Sequence, residues 1–180
     1  MSFDPTKPAD HSDLASQVMR DQLNGLKALI DAQPAVAYGR VASDWTSSSS
    51  SFTDVTGLSF AVGAGENWTA EIVLHLISSA TGQGFKFRVA GPGAGSVTMS
   101  IAGTGTSTST SIDCEVQTAF SVASPAKTFC SGSTITGVVR IHVVITNATA
   151  GTVQLQASNS GGSGTVTLKA NSDLVARKAG

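Results

Sequence analysis

The part of the chain after Pro34 constrains the fold most, because helical periodicity ends there and short strand-like runs alternate with turns. The turns are Gly-, Pro-, Asn- and Ser-rich segments such as GAGEN, GPGAG and NSGGSG. Strands at this spacing, without βαβ alternation, are typical of an antiparallel sandwich or barrel. The chain contains 25 Ser and 20 Thr, and Thr favours a pleated surface. We therefore predict a mainly β domain over residues 34–180.

The turn signals divide this region into twelve predicted strands. They are Val36–Val41, Phe52–Val55, Leu58–Val62, Trp68–Ser78, Phe85–Ala90, Ser96–Ala102, Ile112–Thr118, Ala119–Ala123, Thr134–Thr146, Thr152–Ala157, Gly164–Ala170 and Asp173–Arg177. The serine run Ser47–Ser51 precedes the FTDVTGLSF phrase, and its residues alone leave three alternatives open: a flexible linker, a disordered tail or a part of the fold.

Residues 1–33 are predicted to form an N-terminal arm followed by a single helix. Pro5 and Pro8 indicate an extended arm. Ser12 is a suitable helix cap, and Pro34 stops a helix predicted over residues 13–32. This part of the chain is predicted to serve attachment or oligomerisation.

Apolar residues recur along this helix at the heptad spacing of four, three and four, and a second apolar strip lies beside them. A helix this short needs a partner surface. Packing on its own domain remains the alternative to self-association or docking on another protein. The predicted oligomerisation or attachment residues are Leu14, Val18, Met19, Leu23, Leu26 and Ile30.

Two strands, TAEIVLHLIS and GVVRIHVVIT, are apolar on both alternating faces, so each must be covered on both sides. If Ile72, Leu74, Leu76 and Ile141 point inward, the outward side chains still include apolar ones, and the inverted assignment of faces leaves the same surplus of apolar surface. The simplest cover for such a face is another copy of the chain. The residues predicted for this subunit contact are Val73, His75, Ile77, Arg140, His142 and Val144.

Charge and targeting signals exclude several classes of partner. The formal net charge is −1 and the basic residues are scattered, so we expect neither nucleic acid nor an anionic membrane as a partner. The N-terminus lacks the cationic and apolar segments of a signal peptide, which indicates folding in a bacterial or host cytoplasm. Cys114 and Cys130 lack metal-ligand spacing, and their pairing stays open.

No catalytic constellation is evident, and we expect a non-enzymatic protein without a cofactor or metal. The histidines are His11 in the arm and two in apolar strands, where a buried structural role is more common than catalysis. Asp113 and Glu115 share a strand face but resemble solvent contacts more than a glycosidase pair. Three aromatic residues could stack on a sugar, although packing is the more common use; they are Tyr38, Trp45 and Trp68.

Three segments of residues 41–178 carry a resemblance to a known family: SSSFTDVTGLSFAVGAGENWTAEIVLHLISSATGQGFKFRVAGPGAGSV, GVVRIHVVITNATAGTVQLQASN and VTLKANSDLVARK. They resemble a β-domain of tailed-bacteriophage fibre and virion-surface proteins. The arm, DPTKPADHSDLASQVMRDQLNGLKALID, resembles N-terminal segments of phage structural proteins. The resemblance implies a jelly-roll-like antiparallel β-sandwich, often trimeric, similar to the heads of tumour necrosis factor and complement C1q. It also implies that Ser47–Ser51 form a loop inside the domain, with a flexible linker as the alternative.

This resemblance implies a structural protein at the virion surface, a capsid decoration or head-fibre trimer held to a phage capsid or tail protein by its arm and helix. It also implies assembly in the host cytoplasm. One alternative is a tail-fibre or baseplate module that binds a host glycan. A secreted bacterial adhesion module is a third class, and the missing signal sequence argues against it.

Overall fold

The structure is a computed structural model that describes residues 13–79, 84–93, 96–103, 115–122, 137–146, 148–160 and 164–179. The side chains of residues 13–15 and 115–117 fall outside this description. The chain divides into two compact units, Met1–Pro34 and Ala35–Gly180. Some residues with predicted roles lie outside this description: the arm, Asp113, Cys114, Cys130 and the side chain of Leu14.

The first unit contains α1, Asp13–Asp31, which ends one residue before the predicted boundary. Its sequence is rich in straight-chain residues that lose little side-chain freedom in a helix. The last turn closes with Ala32 N–H donating to the Ala28 carbonyl at 3.0 Å and Gln33 N–H to the Ile30 carbonyl at 3.1 Å. Pro34 then ends the helix because it has no N–H to donate.

The second unit is a sandwich of two antiparallel sheets. The large sheet has the order β1-β11-β4-β8-β6-β7, with β10 pairing β2 and β4, and the small sheet has the order β3-β9-β5. The strands are β1 Val36–Arg40, β2 Trp45–Ser47, β3 Thr53–Val62, β4 Asn67–Ser78, β5 Phe85–Ala90, β6 Ser96–Gly103, β7 Glu115–Gln117, β8 Gly137–Thr146, β9 Gly151–Asn159, β10 Val166–Leu168 and β11 Asp173–Ala179.

The strand pairs are nested, because the first half of the chain pairs with the second half in reverse order. β1 pairs with β11, β2 with β10, β3 with β9 and β4 with β8. A jelly roll has this pattern: one long hairpin is folded over, and its strand pairs are divided between two sheets. The predicted mainly β, jelly-roll-like sandwich with one N-terminal helix is therefore confirmed.

The core lies between the two sheets and is filled by the inward side chains of both. β4 contributes Leu74 and Leu76, each 0% exposed, and β5 contributes Phe85 and Phe87, whose rings stack with centroids 5.7 Å apart. Strict alternation of buried and less buried residues along β4 and β8 fixes their register, since a one-residue slip would turn the apolar set outward.

Three strand predictions were wrong. Residues 119–122 form a turn rather than a strand, and Ser121 has a positive φ of 62° there. Residues 52–55 and 58–62 belong to one strand, β3, which has a register shift between Asp54 and Ser59. The short strand β2 was missed, because three residues beside a serine run carry no alternation.

The irregularity in β3 has a specific partner on β9. The Gln154 side chain donates to the carbonyls of Val55 at 3.0 Å and Leu58 at 3.2 Å. These carbonyls belong to residues that are 0% exposed, and a bulge removes them from the regular ladder. The Gln154 amide therefore supplies donors that the interrupted pairing does not.

The serine run belongs to the β unit. Ser47 ends β2, and its Oγ accepts a hydrogen bond from Ser49 N–H at 3.2 Å. Ser49 Oγ accepts one from Ser51 N–H at 3.0 Å, and the Ser49 carbonyl accepts one from Asn159 N–H at 3.0 Å. These local bonds are typical of serine in turns, and they place the run in a loop of the domain.

Candidate functional site

Six large apolar side chains are exposed along α1, and we call this set the helix stripe. Val18, Met19, Leu23, Leu26, Leu29 and Ile30 have exposed fractions between 46% and 66%. Five of them were predicted from the sequence. Leu29 was missed, although it follows Leu26 by three residues and so shares its side of the helix.

The remaining surface of α1 carries polar side chains that bond to one another. Lys27 forms an ion pair with Asp31, and Gln17 donates to Asp21 at 3.0 Å. Arg20 donates to Ser16 Oγ at 3.5 Å and to Gln17 Oε1 at 3.4 Å. These contacts span three or four residues and stabilise the helix locally by a few tenths of a kcal/mol each, about 0.2–0.5.

The second surface is the side of the large sheet that points away from the core, which we call the outer face. Three rows of directly paired residues cross it from β1 to β6. The first is Val36, Arg177, Thr69, Val144 and Thr98. The second is Tyr38, Val175, Glu71, His142 and Ser100. The third is Arg40, Asp173, Val73, Arg140 and Ala102.

All six residues predicted for a subunit contact lie on the outer face. The side chains assumed to point inward are buried on the other side of the sheet; they are Ile72, Leu74, Leu76 and Ile141. Arg140 and His142 are exposed, and the other four, Val73, His75, Ile77 and Val144, are half-buried. The face thus mixes aliphatic side chains with cations and imidazoles; whether it contacts another subunit stays a prediction.

A shallow depression lies in the middle of the outer face. Its volume is about 190 Å³. Glu71, Val73, Arg140 and His142 surround it, and the small side chains Ser100 and Ala102 of β6 leave the space open. The depression is therefore lined by a carboxylate, a guanidinium, an imidazole and a hydroxyl.

The row through the depression brings together a serine, a histidine and a glutamate, the residue types of a hydrolase triad. Ser100 and Glu71 lie directly opposite His142 on its two neighbouring strands. Among the described residues, no hydrogen bond joins these three side chains, and no set of three His, Cys, Asp or Glu residues could hold a metal ion. The arrangement therefore lacks the nucleophile–base contact that such catalysis uses.

A buried serine fixes the backbone beneath the outer face. β4 pairs with β11 up to Val73 and with β10 from Leu76, so His75 lies at the junction between the two partners. Ser172 is 0% exposed, and its Oγ accepts a hydrogen bond from His75 N–H at 3.0 Å. The same hydroxyl donates to the Lys169 carbonyl at 2.9 Å. Ser172 thus supplies the acceptor that the strand ladder lacks at this position.

Two carboxylates hold the loops around the large sheet. The Lys178 ammonium, 2.8 Å from Glu66, lowers the pKa of Glu66 to about 2, together with hydrogen bonds from Gly63 N–H and the Trp68 indole. The Lys169 ammonium and then the Ala170 N–H lower the pKa of Asp44 below its usual value. Both carboxylates therefore stay ionised and bonded near neutral pH.

The three aromatic residues considered for sugar stacking have different environments. Trp68 is 5% exposed and packs on Phe60 with ring centroids 5.5 Å apart, so it belongs to the core. Trp45 is half-buried, and its indole donates to the Asp54 carbonyl at 3.1 Å. Tyr38 is 76% exposed and stands on the outer face. Only Tyr38 of the three presents its ring to solvent.

Sequence reasoning did not identify the part of the outer face that β1 and β11 contribute. Tyr38, Val175 and Asp173 join it because β11 lies between β1 and β4. β1 and β11 are more than a hundred residues apart in sequence. The alternation of β11 was visible in the sequence, but its neighbours in the sheet were not.

No family model matches the chain, and no curated protein matches it. No helix in the described part of the chain is both long and apolar enough to cross a membrane. Among solved structures, the Gt strain of infectious bursal disease virus aligns at 10% identity with a TM-score of 0.23, over 82% of this chain and 38% of the other. The VP2 subviral particle of the same virus aligns at 12% identity with a TM-score of 0.28, over 82% of this chain and 37% of the other.

This chain therefore spans less than two fifths of the length of those viral chains. Identities and TM-scores this low have no bearing on what the protein does.

Proposed function

We propose that this chain is a non-enzymatic structural protein of a bacteriophage virion, a homotrimeric capsid decoration or head-fibre protein. In this proposal the arm and α1 attach or oligomerise the protein, and the jelly roll projects from the particle surface. The sequence resemblance described above is the reason for naming a phage. The observation that carries the structural role is the helix stripe, because a helix with six exposed apolar side chains is marginal in water without a partner.

The outer face supports the trimer. An exposed sheet face in a lone sandwich is normally polar, whereas here Val73, Ile77 and Val144 are aliphatic and half-buried. Arg140, Glu71 and Asp173 add charges of both signs to the same face. In a contact between two copies of such a surface, cations of one copy can lie against carboxylates of the other.

The particle assignment is tested by immunogold electron microscopy, with antibody raised against the β unit, on virions from the host that carries the gene. Gold over the head is the expected result. Gold at the tail tip or fibres would contradict the decoration role and favour the receptor-binding alternative. Unlabelled particles, in a lysate where the protein is shown to be expressed, would overturn the virion role itself.

Oligomeric state is tested on the purified full chain by light scattering, where three chains of 18.2 kDa are expected. Val73→Lys places an ammonium on the outer face and should lower the trimer fraction. Thr152→Lys is the matched control, because Thr152 is exposed on the small sheet and should leave the mass unchanged. A monomer mass for the unmodified chain at micromolar concentration would contradict the trimer.

A second function, binding of a host-surface glycan by a tail-fibre or baseplate module, has one observation in its favour. Tyr38 is 76% exposed in the same row as Glu71 and His142, which line the depression. Aromatic rings beside planar polar side chains are suited to sugars. Retention of the protein on host polysaccharide, lost in Tyr38→Ala and kept in Tyr38→Phe, would establish this function. Equal elution of all three proteins would exclude Tyr38 as a contact.

A further inference from the structure

Two imidazoles and a guanidinium lie next to one another on the outer face. His142 and Arg140 are exposed and two residues apart on β8, so their side chains share this side of the sheet at a spacing of about 7 Å. His75 on β4 is half-buried and is a diagonal neighbour of Arg140, because Val73 pairs with Arg140 and His75 follows Val73 by two residues. The three side chains therefore form one group around Arg140.

One carboxylate faces His142. Glu71 lies directly opposite His142 on β4, and Ser100 lies opposite it on β6. Along its own strand, His142 has Arg140 on one side and the aliphatic Val144 on the other. Glu71 is also a diagonal neighbour of Arg140, whose positive charge already balances it. An additional positive charge on His142 therefore has no carboxylate of its own on the adjacent strands.

The charged groups around His75 are likewise balanced without it. On one side, the Lys169 N–H donates to the His75 carbonyl at 2.8 Å, and the Lys169 ammonium forms an ion pair with Asp44. On the β11 side, Asp173 is a diagonal neighbour of His75, and Asp173 lies directly opposite Arg40. Each of these two carboxylates thus already has a cation beside it.

Protonation of the two histidines adds positive charge to a face that is already cationic. The three rows of the outer face contain three guanidiniums and two carboxylates; the residues are Arg40, Arg140, Arg177, Glu71 and Asp173. The rows therefore carry one net positive charge, and protonation of His75 and His142 raises the net charge of the face to three. Histidine is the residue type whose charge ordinarily changes between about pH 5 and pH 8.

A contact between copies would disfavour the protonated histidines. The contact excludes water, and burial disfavours the charged form of an imidazole. An imidazolium without a carboxylate partner is costly there, and two faces with an excess of positive charge repel each other. A neutral imidazole avoids both costs, and it packs beside an aliphatic neighbour, Val73 for His75 and Val144 for His142.

We propose that the contact between copies through the outer face is pH-dependent, forming while His75 and His142 are neutral and opening when acid protonates them. This inference rests on the proposed function, because it states how the trimer contact is regulated. Since association favours the neutral imidazoles, separation of the copies is coupled to proton uptake, and acid favours the separated chains.

Light scattering on the full-length chain tests the inference, with a concentration series at about pH 7.5 and about pH 5.5 and at one ionic strength. We expect association to be weaker at the lower pH by up to about a hundredfold per copy. Exclusion of one imidazolium contributes about tenfold at one pH unit below the ordinary histidine pKa of about 6.5, and each copy has two such histidines. Tryptophan fluorescence of the same samples separates dissociation from unfolding.

His75→Gln and His142→Gln, combined in one chain, remove the groups that titrate. The quantity compared is the ratio of the association constants at the two pH values, so a general weakening of the contact by the substitutions cancels. We expect a ratio near one for this double variant. His11→Gln is the matched control, because it removes the remaining histidine of the chain and should keep the ratio of the unmodified protein.

The outcomes separate the inference from the proposed trimer. A three-chain mass with equal association constants at both pH values would overturn the inference and leave the trimer standing. A pH dependence that survives in the double variant, or disappears in H11Q, would also overturn it, because other groups would then be responsible. A single-chain mass of the unmodified protein at both pH values would refute the trimer and the inference with it.

Discussion

Replacing Ser172 with Ala tests how the sheet is held together where β4 changes partners beneath the outer face. The hydroxyl is 0% exposed, accepts from His75 N–H at 3.0 Å and donates to the Lys169 carbonyl at 2.9 Å. The carbonyl retains a second donor, Ser172 N–H at 3.3 Å. The substitution therefore leaves one buried donor, the His75 N–H, without an acceptor.

The expected cost follows from that single donor. An unsatisfied buried polar group costs about 1–3 kcal/mol, so we expect Ser172→Ala to lower the free energy of unfolding by about 2 kcal/mol. For a chain of this size each kcal/mol corresponds to about 2–4 °C in melting temperature, which gives about 4–8 °C. Urea unfolding followed by tryptophan fluorescence measures the change directly, because Trp68 lies in the core.

Ser79→Ala is the matched control. Ser79 Oγ also accepts a hydrogen bond from a backbone N–H, that of Thr165 at 2.8 Å, but Ser79 is exposed. Water can replace the lost hydroxyl there, so the expected change is within about 0.5 kcal/mol. Equal destabilisation by Ser172→Ala and Ser79→Ala would refute the reasoning, since it would show that burial of the His75 N–H contributes nothing.

Three further substitutions test other parts of the sandwich. Glu66 has a folded pKa of about 2, below the usual value of 4.5, so the stability it adds is present above pH 4.5 and lost as pH falls toward 2. Urea midpoints at neutral and acid pH should therefore differ less in Glu66→Gln than in the unmodified chain; an equal difference would contradict this. Gly57 has a φ of 91° and lies against a backbone carbonyl, so we expect Gly57→Ala to lower the free energy of unfolding by about 3 kcal/mol or more. Gly65 has a φ of 74° but open space around it, so we expect Gly65→Ala to lower it by only about 1 kcal/mol. Similar melting temperatures for these two variants would count against the close approach. Gln154→Met keeps the length of the side chain and removes its donors, and should cost about 1–2 kcal/mol by urea unfolding, whereas an unchanged midpoint would show that water serves the bulge equally well.

The sequence predicted the class of fold and the local elements that depend on nearby residues. The helix ends within one residue of its predicted boundary, because Pro34 has no N–H. The period-two alternation in β4 was also predicted, since it is a property of the strand alone, whereas the face that points inward was an assumption. The missed strand β2 and the bulge in β3 have no such local signal; each depends on a partner, β10 or Gln154, about a hundred residues away.

Only the tertiary structure decided which residues share the candidate surfaces. The sequence by itself determined that β4 and β8 carry apolar residues on both faces and that α1 has a seam at heptad spacing. It did not determine that Tyr38 and Asp173 join the outer face, that Ser100 and Ala102 open a depression beside Arg140, or that Ser172 satisfies His75. The physical reason is that alternation and heptad spacing are fixed by the geometry of a single strand or helix. Strand neighbours are fixed by the nested pairing of distant segments, which follows from burying both sheets around one core.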